Sequence, residues 1–247
     1  MVHDIQIQCI RRSDQRYRIP AGRVVFASLG FGSVAKRIEM VLRAVAALGR
    51  KDFLYLLVGE VGENFQRELR RRGLGEVVRT TGYVDWNTFN DYCHLIDVGI
   101  DLRYPTMGES SASVCRMLGA GKPCVVSDLG WFAELPDDCV IKLDAAADEP
   151  GLVRCLSDLI ADQPLRRRLG DNARRYIREQ HGIDPAAAQY VKFLGEVRLR
   201  ERRRSVEHAL IDETGRAMAE IGIGEEDGWL IGGVAADIES LFETVRD

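Results

Sequence analysis

Short apolar segments alternate with stretches of helical periodicity from about residue 22 to residue 145, and this alternation constrains the fold most strongly. The predicted strands are 23–28, 53–58, 77–80, 98–102, 124–127 and 140–143. Most of them are nearly continuous apolar runs, as expected for strands that helices cover on both faces. Strands joined through helices pair in parallel by right-handed crossovers. The sequence therefore predicts an α/β fold with a doubly wound, parallel, Rossmann-like sheet.

Helical signals lie between these strands and continue alone after Pro150. Ile38, Val41, Leu42 and Val45 recur at three- and four-residue spacing, which predicts one apolar face on a helix. The other predicted helices are 65–72, 86–95, 111–120, 152–161, 165–180, 185–200, 202–221 and 229–245. The chain is therefore expected to have a C-terminal helical appendage after the sheet domain. The predicted division is an N-terminal segment 1–21, a Rossmann-like domain 22–195 and a helical appendage 196–247.

Composition and charge exclude several classes of protein. Hydrophobic residues make up 46% and charged residues 29% of the 247, which is ordinary for a globular protein. The longest apolar runs, such as 53–58, are too short to span a bilayer, so no transmembrane segment is expected. The first residues do not have the pattern of a secretory signal, and we expect a cytoplasmic protein. A net charge of −4 argues against nucleic acid as the main partner.

The cysteines and the basic clusters leave two smaller questions. The six cysteines are Cys9, Cys93, Cys115, Cys124, Cys139 and Cys155. They form no C-x-x-C pair, and we expect core thiols rather than metal ligands or disulfides. Three runs of arginine, 70–72, 166–168 and 202–204, are interpreted either as solvated helix faces or as sites for phosphate or an anionic membrane surface.

The loop after the first strand is rich in glycine and ends in positive charge. Gly30 and Gly32 allow the backbone to approach a ligand, and Lys36 and Arg37 place positive charge beside it. The segment from Gly30 to Ala35 also fits the dinucleotide pattern G-x-G-x-x-A, with Glu60 as its acidic partner. The alternatives are therefore a phosphate-binding loop, a nicotinamide site, or a glycine turn with solvated basic residues.

Two later loops are candidates because ligands bind at the carboxyl ends of parallel strands. Gly82, Tyr83 and Val84 follow the third strand and offer backbone groups to a flat base, although alone they are an ordinary turn. After the fourth strand, Glu109 precedes the small residues 110–113 at a helix start. The amides of such a start attract phosphate. Alternatively, Glu109 and the serines only cap the helix.

Together these segments resemble the C-terminal, donor-binding domain of family 4-like glycosyltransferases with the GT-B fold. The resemblance covers roughly residues 22–195, and its most specific stretch runs from Tyr104 to Pro136. The order of signals also matches: a glycine-rich loop ending in Lys, the Gly82 turn, the acidic segment and the Gly121-Lys-Pro strand.

The resemblance implies a hexosyltransferase that transfers sugar from a nucleoside diphosphate sugar with retention of configuration and without a metal or other cofactor. Lys36 and Glu109 are the implied catalytic residues, Lys36 opposite the leaving diphosphate and Glu109 on the donor sugar. The implied donor-binding residues are Gly30, Gly32, Arg37, Gly82, Tyr83, Val84, Ser110, Ser111, Ala112 and Arg116.

Two positions depart from the family pattern. The second Glu of the family's pair, which binds the nucleotide ribose, falls on Arg116. The basic residue that usually precedes the loop Lys by five positions is Phe31. Either change is expected to weaken or alter nucleotide binding.

The sequence before residue 20 leaves no room for the N-terminal acceptor domain of a GT-B enzyme, so we expect a longer polypeptide or a partner subunit to bring it. Alone, the chain is expected to bind donor and transfer sugar poorly to an acceptor that the sequence does not identify. Trp229, Leu230, Ile231, Leu241 and Phe242 suggest a homo-dimer through the helical tail, or packing on the chain's own core. The alternatives are a GT-B-fold sugar-nucleotide epimerase, a nicotinamide-dependent protein and a non-catalytic binding or interaction module.

Overall fold

The computed structural model describes residues 16–144, 149–220, 222–223 and 227–243. The strands are β1 (Val24–Leu29), β2 (Phe53–Val58), β3 (Val78–Thr80), β4 (Val98–Asp101), β5 (Cys124–Asp128) and β6 (Val140–Asp144). The helices are α1 (Ile38–Ala47), α2 (Glu63–Arg71), α3 (Trp86–Leu95), α4 (Ala112–Gly119), α5 (Glu149–Ala161), α6 (Gln163–Gln180), α7 (Ile183–Glu220) and α8 (Gly228–Glu243). Cys9, most of the predicted segment 1–21 and the end of the predicted helix 229–245 lie outside the described residues.

The strands form one six-stranded parallel sheet in the order β3-β2-β1-β4-β5-β6. Val24 pairs with Phe53 on one side of β1, and Phe26 pairs with Val98 on the other. The strand order reverses between β1 and β4, which makes this the topological switch point of a doubly wound fold. The predicted fold class is confirmed.

Helices cover both faces of the sheet, because successive strand residues point to opposite sides. On one face, Val25 and Ala27 lie in a core with residues of α3, α4 and α6. On the other face, Phe26 lies in a core with residues of α1 and α5. Each large side chain buried in this way contributes about 1.5–3 kcal/mol to stability. The continuous apolar strands of the sequence are explained by this two-sided burial.

The chain divides into two compact units, the first ending at His181 and the second beginning at Gly182. The second unit contains α7, which is continuous through residue 201, so the predicted interruption between 200 and 202 is wrong. Leu199, Arg200, Glu201 and Arg202 all favour helix, and the chain offers no glycine or proline there. The domain division predicted at 195/196 therefore falls within α7.

Candidate functional site

The candidate site lies at the switch point, where the loops after β1 and β4 come together. The N–H of Tyr104 in the second loop donates to the carbonyl oxygen of Ala35 in the first, at 2.8 Å. In open α/β sheets, ligands bind in the crevice at this position. The sequence-predicted residues Lys36 and Glu109 lie on these two loops.

Lys36 is buried, with only 9% of its surface exposed. Its ammonium group donates to the carbonyl oxygen of Leu29 at the end of β1. Burial lowers the pKa of Lys36, the charge of Asp101 partly offsets this, and the charge of Arg103 lowers the pKa further. The loop thus places a cation where solvent does not stabilise it.

Gly30 explains how Lys36 fits into this loop. Its φ of +92° is a conformation that side-chain-bearing residues rarely adopt. A Cβ atom at this position would lie 3.1 Å from the Nζ of Lys36. The glycine is therefore required both by the turn and by the lysine packed against it.

Asp101, at the end of β4, is the principal counter-charge of the site, and sequence analysis missed it. It is buried, with 3% exposed. The hydroxyl of Ser111 donates to its Oδ2 at 2.8 Å, and the guanidinium of Arg103 lies 3.3 Å from its Oδ1. An aspartate ending a buried apolar strand is the signal that could have identified it, because buried carboxylates are rarely left unpaired.

Glu109 is joined to the same network through Arg103, whose Nη1 donates to Oε1 of Glu109 at 2.9 Å. The N–H of Met107 and the hydroxyl of Thr106 also donate to Oε2, at 2.8 and 3.2 Å. Hydrogen bonds from the backbone N–H groups of Glu109 and Met107 hold the pKa of Glu109 below its usual value, helped by Thr106 and the charge of Arg103. This carboxylate is therefore ionised, half-exposed and tied to its own loop.

We call Lys36, Asp101, Arg103 and Glu109 the ionic cluster. The sequence predicted Lys36 and Glu109, and missed Asp101, whose charge acts on Lys36, and Arg103, which pairs with both carboxylates. The linking contacts depend on how the β4–α4 loop folds back on itself, which residue spacing alone does not specify.

A serine side chain caps the first turn of α4. Ser111 is the N-cap residue, and its hydroxyl accepts from the N–H of Val114 at 3.4 Å. The side chain of Ser111 is buried against Asp101, whereas Ser110 and Ala112 are exposed. The capping interpretation therefore holds for the Ser111 hydroxyl, while the predicted contact of a diphosphate with the amides of 110–112 stays a prediction.

Arg116 belongs to a second group, on the facing sides of α3 and α4. Its guanidinium carbon lies 3.9 Å from the centre of the Trp86 ring, and its Nη1 donates to Asn90 at 3.4 Å. The Trp86 ring is in turn parallel to that of Phe89, with centroids 6.1 Å apart. We call Trp86, Phe89 and Arg116 the aromatic–arginine cluster.

The turn of Gly82, Tyr83 and Val84 precedes this cluster in the chain. Gly82 has a φ of +71° and forms an isolated bridge with Gly59 after β2. Tyr83 is exposed, whereas Val84 packs against the hydrophobic core. Because its side chain packs in the core, Val84 can take part in the predicted contact with a base only through its backbone.

Gly32 and Arg37 lie beside the ionic cluster, towards α2. They line a cavity of 350 Å³ between the first turns of α1 and α2. Arg37 has a φ of +50°, and its guanidinium lies 6.0 Å from the Tyr104 ring centre. Among the described residues, no group of three or more His, Cys, Asp or Glu could hold a metal ion.

The model of the family described as "Glycosyl transferases group 1" matches residues 22–162, more than half of the chain. The chain belongs to this family. The match spans the whole sheet and both loops of the ionic cluster. The comparison with curated proteins found no match.

Solved structures show the same fold at low sequence identity. The C-terminal domain of the glycosyl transferase group 1 family protein LpcC from Francisella tularensis is 15% identical, with a TM-score of 0.61, and the match covers 68% of this chain and 91% of that domain. The sucrose-phosphate synthase from Thermosynechococcus elongatus is 18% identical, with a TM-score of 0.65 and coverages of 75% and 48%. The chain thus has the fold of the C-terminal domain of a GT-B glycosyltransferase.

Anabaena HepE, solved in complex with UDP-glucose, is 16% identical with a TM-score of 0.65, and the match covers 74% of this chain and 51% of HepE. This chain spans about half the length of HepE and of the sucrose-phosphate synthase. Across the described part of the chain, no helix is both long and apolar enough to cross a membrane.

Proposed function

We propose that the chain is the donor-binding half of a retaining, metal-independent glycosyltransferase, and that it binds a nucleoside diphosphate sugar at the switch point. The carrying observation is the buried ammonium group of Lys36, which donates to Leu29 at the end of β1 and is affected by the charges of Asp101 and Arg103. Family membership favours this function over the nicotinamide alternative. The UDP-glucose complex of the similarly folded HepE supports the nucleotide class.

Lys36 stabilises the leaving diphosphate in this proposal. Cleavage of the bond between sugar and diphosphate increases negative charge on the diphosphate oxygens, and a preorganised cation in a water-poor site stabilises that charge strongly. The burial that lowers the pKa of Lys36 makes a nearby anion more favourable, because the anion replaces missing solvation. The amides of Ser110 and Ala112, which are exposed residues, add the partial positive charge of a helix start.

Glu109 positions the donor sugar in this proposal. Its pKa is held below the usual value, so it is an ionised acceptor at neutral pH. Arg103 and the N–H of Met107 fix the carboxylate while leaving it partly exposed. A sugar attached to a diphosphate at Lys36 would present its hydroxyl groups on this side of the loop.

The acceptor half is proposed to cover the carboxyl edge of the sheet. Within the described residues of the first unit, the large apolar side chains that are exposed all belong to loops or helix starts at this edge. They are Phe31, Val34, Tyr83, Trp86, Tyr104 and Met107. An apolar surface concentrated in this way is typical of an interface, and it supports the expectation that catalysis requires an N-terminal domain or a partner subunit.

Calorimetric titration with UDP, GDP and NAD tests the proposal. We expect UDP or GDP to bind and Lys36→Ala to weaken that binding about tenfold or more, as expected for loss of a charge-assisted contact. Glu109→Ala should weaken binding of the sugar nucleotide more than binding of the free nucleotide. Lys51→Ala, an exposed lysine paired with Glu76, is the control.

The same titrations separate the alternatives. Tight binding of NAD alone would contradict the donor-domain proposal. Binding of none of the three would favour a non-catalytic module, in which the departures from the family pattern at Phe31 and Arg116 have abolished nucleotide binding. Release of an epimerised sugar nucleotide in the absence of any acceptor would favour the epimerase alternative.

A further inference from the structure

The amino-terminal half of α7 has an apolar face that its own unit does not cover. Ile183, Tyr190 and Leu194 are 86%, 70% and 60% exposed. With Ala187 and Val197 they recur at spacings of three and four residues, which places them along one side of a helix. We call residues 183–204 the α7 amino-terminal segment.

The partner helix α8 is too short to cover this segment. α8 packs against α7 within the second unit, and the short connection between them makes the pair antiparallel. Its 16 residues span about 24 Å, whereas the 38 residues of α7 span about 57 Å. It therefore reaches back only over the last turns of α7, where Leu210 and Ile211 are 38% and 39% exposed.

Positive charge follows the apolar face along the helix, because the face ends at Val197 and an arginine-rich stretch begins at Arg198. At about 100° per residue, Arg198 and Arg202 fall on one side of the line of the face, Arg200 and Arg204 fall on the other, and Glu201 falls on the line itself. Between residues 190 and 204 the sequence has six Lys or Arg against two Glu, although the whole chain carries a net charge of −4. The charge is therefore concentrated on the exposed part of the helix.

We propose that the α7 amino-terminal segment docks on an anionic phospholipid surface. A helix with an apolar face bordered by Lys and Arg lies in the interface plane of a bilayer, with its apolar side chains among the acyl chains. The bordering arginines contact the phosphates, and their aliphatic stems reach past the apolar boundary. Tyr190 and Phe193 provide aromatic rings suited to the headgroup level.

A second copy of the chain fits this face less well than a lipid surface does. In a parallel pair of α7 helices the arginines of both copies would border the same seam, and like charges there oppose association. An anionic headgroup layer instead presents opposite charge to the arginine-rich stretch 198–204. The docking would hold the protein at a membrane surface without a spanning helix.

Vesicle flotation of the 247-residue chain tests the proposal. We expect binding to phosphatidylcholine vesicles that contain about 30 mol% phosphatidylglycerol, and little binding to phosphatidylcholine alone, because the surface charge supplies much of the attraction. Raising the salt to about 0.5 M should reduce binding, since screening shortens the range of that attraction.

Two double variants separate the charged and apolar contributions. Arg198→Glu with Arg200→Glu, and Phe193→Ser with Leu194→Ser, should each lower the vesicle partition coefficient roughly tenfold or more. Arg175→Glu with Arg178→Glu, exposed on α6 and outside the three arginine runs, makes the same charge change elsewhere and should leave binding unchanged. Circular dichroism should show equal helix content in all variants, because the changed side chains are exposed.

Three results would contradict the docking of the α7 amino-terminal segment on a membrane. Failure of the unmodified chain to bind phosphatidylglycerol vesicles would overturn the proposal, and so would binding that survives both α7 double variants. Light scattering that shows a stable dimer dissociated by Phe193→Ser with Leu194→Ser, without vesicle binding, would assign the face to a second copy instead.

Discussion

The ionic cluster and the aromatic–arginine cluster both follow strands of the same sheet, yet they are held in different ways. Lys36 and Asp101 are buried, and their positions are fixed by charge, by Ser111 and by the ends of β1 and β4. Arg116 and Trp86 are exposed on helix surfaces and held mainly by the contact of one ring with one guanidinium. From this difference we expect the fold to depend on Asp101, the counter-charge of the first group, whereas the second group can vary with little loss of stability.

Asp101→Asn should have the largest effect on stability. It leaves the buried Lys36 and the half-buried Arg103 without their shared counter-charge. Removing one partner from a buried charge network costs about 3–5 kcal/mol. Urea unfolding should show a loss of that size. Asp52→Asn, in the exposed pair with Arg50, is the matched control and should change nothing measurable; equal losses in both variants would contradict the comparison.

Gly30→Ala should destabilise by about 1–2 kcal/mol, because a side chain at its positive φ is strained and its Cβ would press on Lys36. Gly75→Ala is the control, since that residue has no strained φ and a Cβ there would meet no atom within 4 Å. Thermal unfolding of the two variants checks this. Unchanged stability in Gly30→Ala would show that the loop adapts and that the ionic cluster is less rigid than described.

Lys36→Met should leave the free energy of unfolding at neutral pH unchanged or slightly raised. Burial lowers the pKa of Lys36, so the folded state bears a cost for keeping the ammonium group charged. The substitution removes that cost while the fold keeps Asp101 paired with Ser111 and Arg103. A marked loss of stability would instead make Lys36 a structural residue.

The pH dependence of stability, compared between wild type and Lys36→Met, tests the direction of the Lys36 pKa shift. Since the folded-state pKa of Lys36 lies below its ordinary value of 10.5, the unfolded chain binds more protons between these two values. The contribution of Lys36 to stability therefore rises with pH across that window. As the pH rises towards 10.5, wild type should gain stability relative to Lys36→Met. A relative loss of stability would contradict the assigned direction.

Arg116→Ala should have the smallest destabilising effect, about 0.5–1 kcal/mol, as expected for an exposed cation–π contact. A double-mutant cycle with Trp86→Leu isolates this contact from other changes at either residue. The coupling energy should equal most of the single-variant loss. A coupling energy of several kcal/mol would show that this cluster is as deeply embedded in the fold as the ionic cluster.

The sequence predicted the sheet well because short continuous apolar runs are compatible with few structures other than buried strands. The predicted strand 53–58 coincides with β2, and the helical repeat from Ile38 to Val45 is buried as expected. The interruption predicted between residues 200 and 202 was wrong, because Leu199, Arg200, Glu201 and Arg202 all favour helix and no glycine or proline lies among them.

The candidate site was only partly predictable. Lys36 and Glu109 could be predicted from loop position and resemblance, and their roles stay predictions. Arg103 pairs with both Asp101 and Glu109 because the intervening loop turns back on itself. Such tertiary contacts have no spacing signature in a single sequence. The stacking of Arg116 on Trp86 was missed for the same reason, since α3 and α4 are brought together only by the sheet.

The central claim is that Lys36 recognises the diphosphate of a nucleotide sugar, and comparing diphosphate with monophosphate ligands tests it most directly. Calorimetric titration of wild type, Lys36→Met and Arg116→Ala with UDP, UMP, GDP and GMP separates the contact to the second phosphate from the contacts to the base and ribose. We predict that wild type and Arg116→Ala prefer the diphosphate by about tenfold or more, as one lost charge-assisted contact implies, and that Lys36→Met has nearly lost this preference. An undiminished preference in Lys36→Met, or binding of no nucleotide by wild type, would contradict the account.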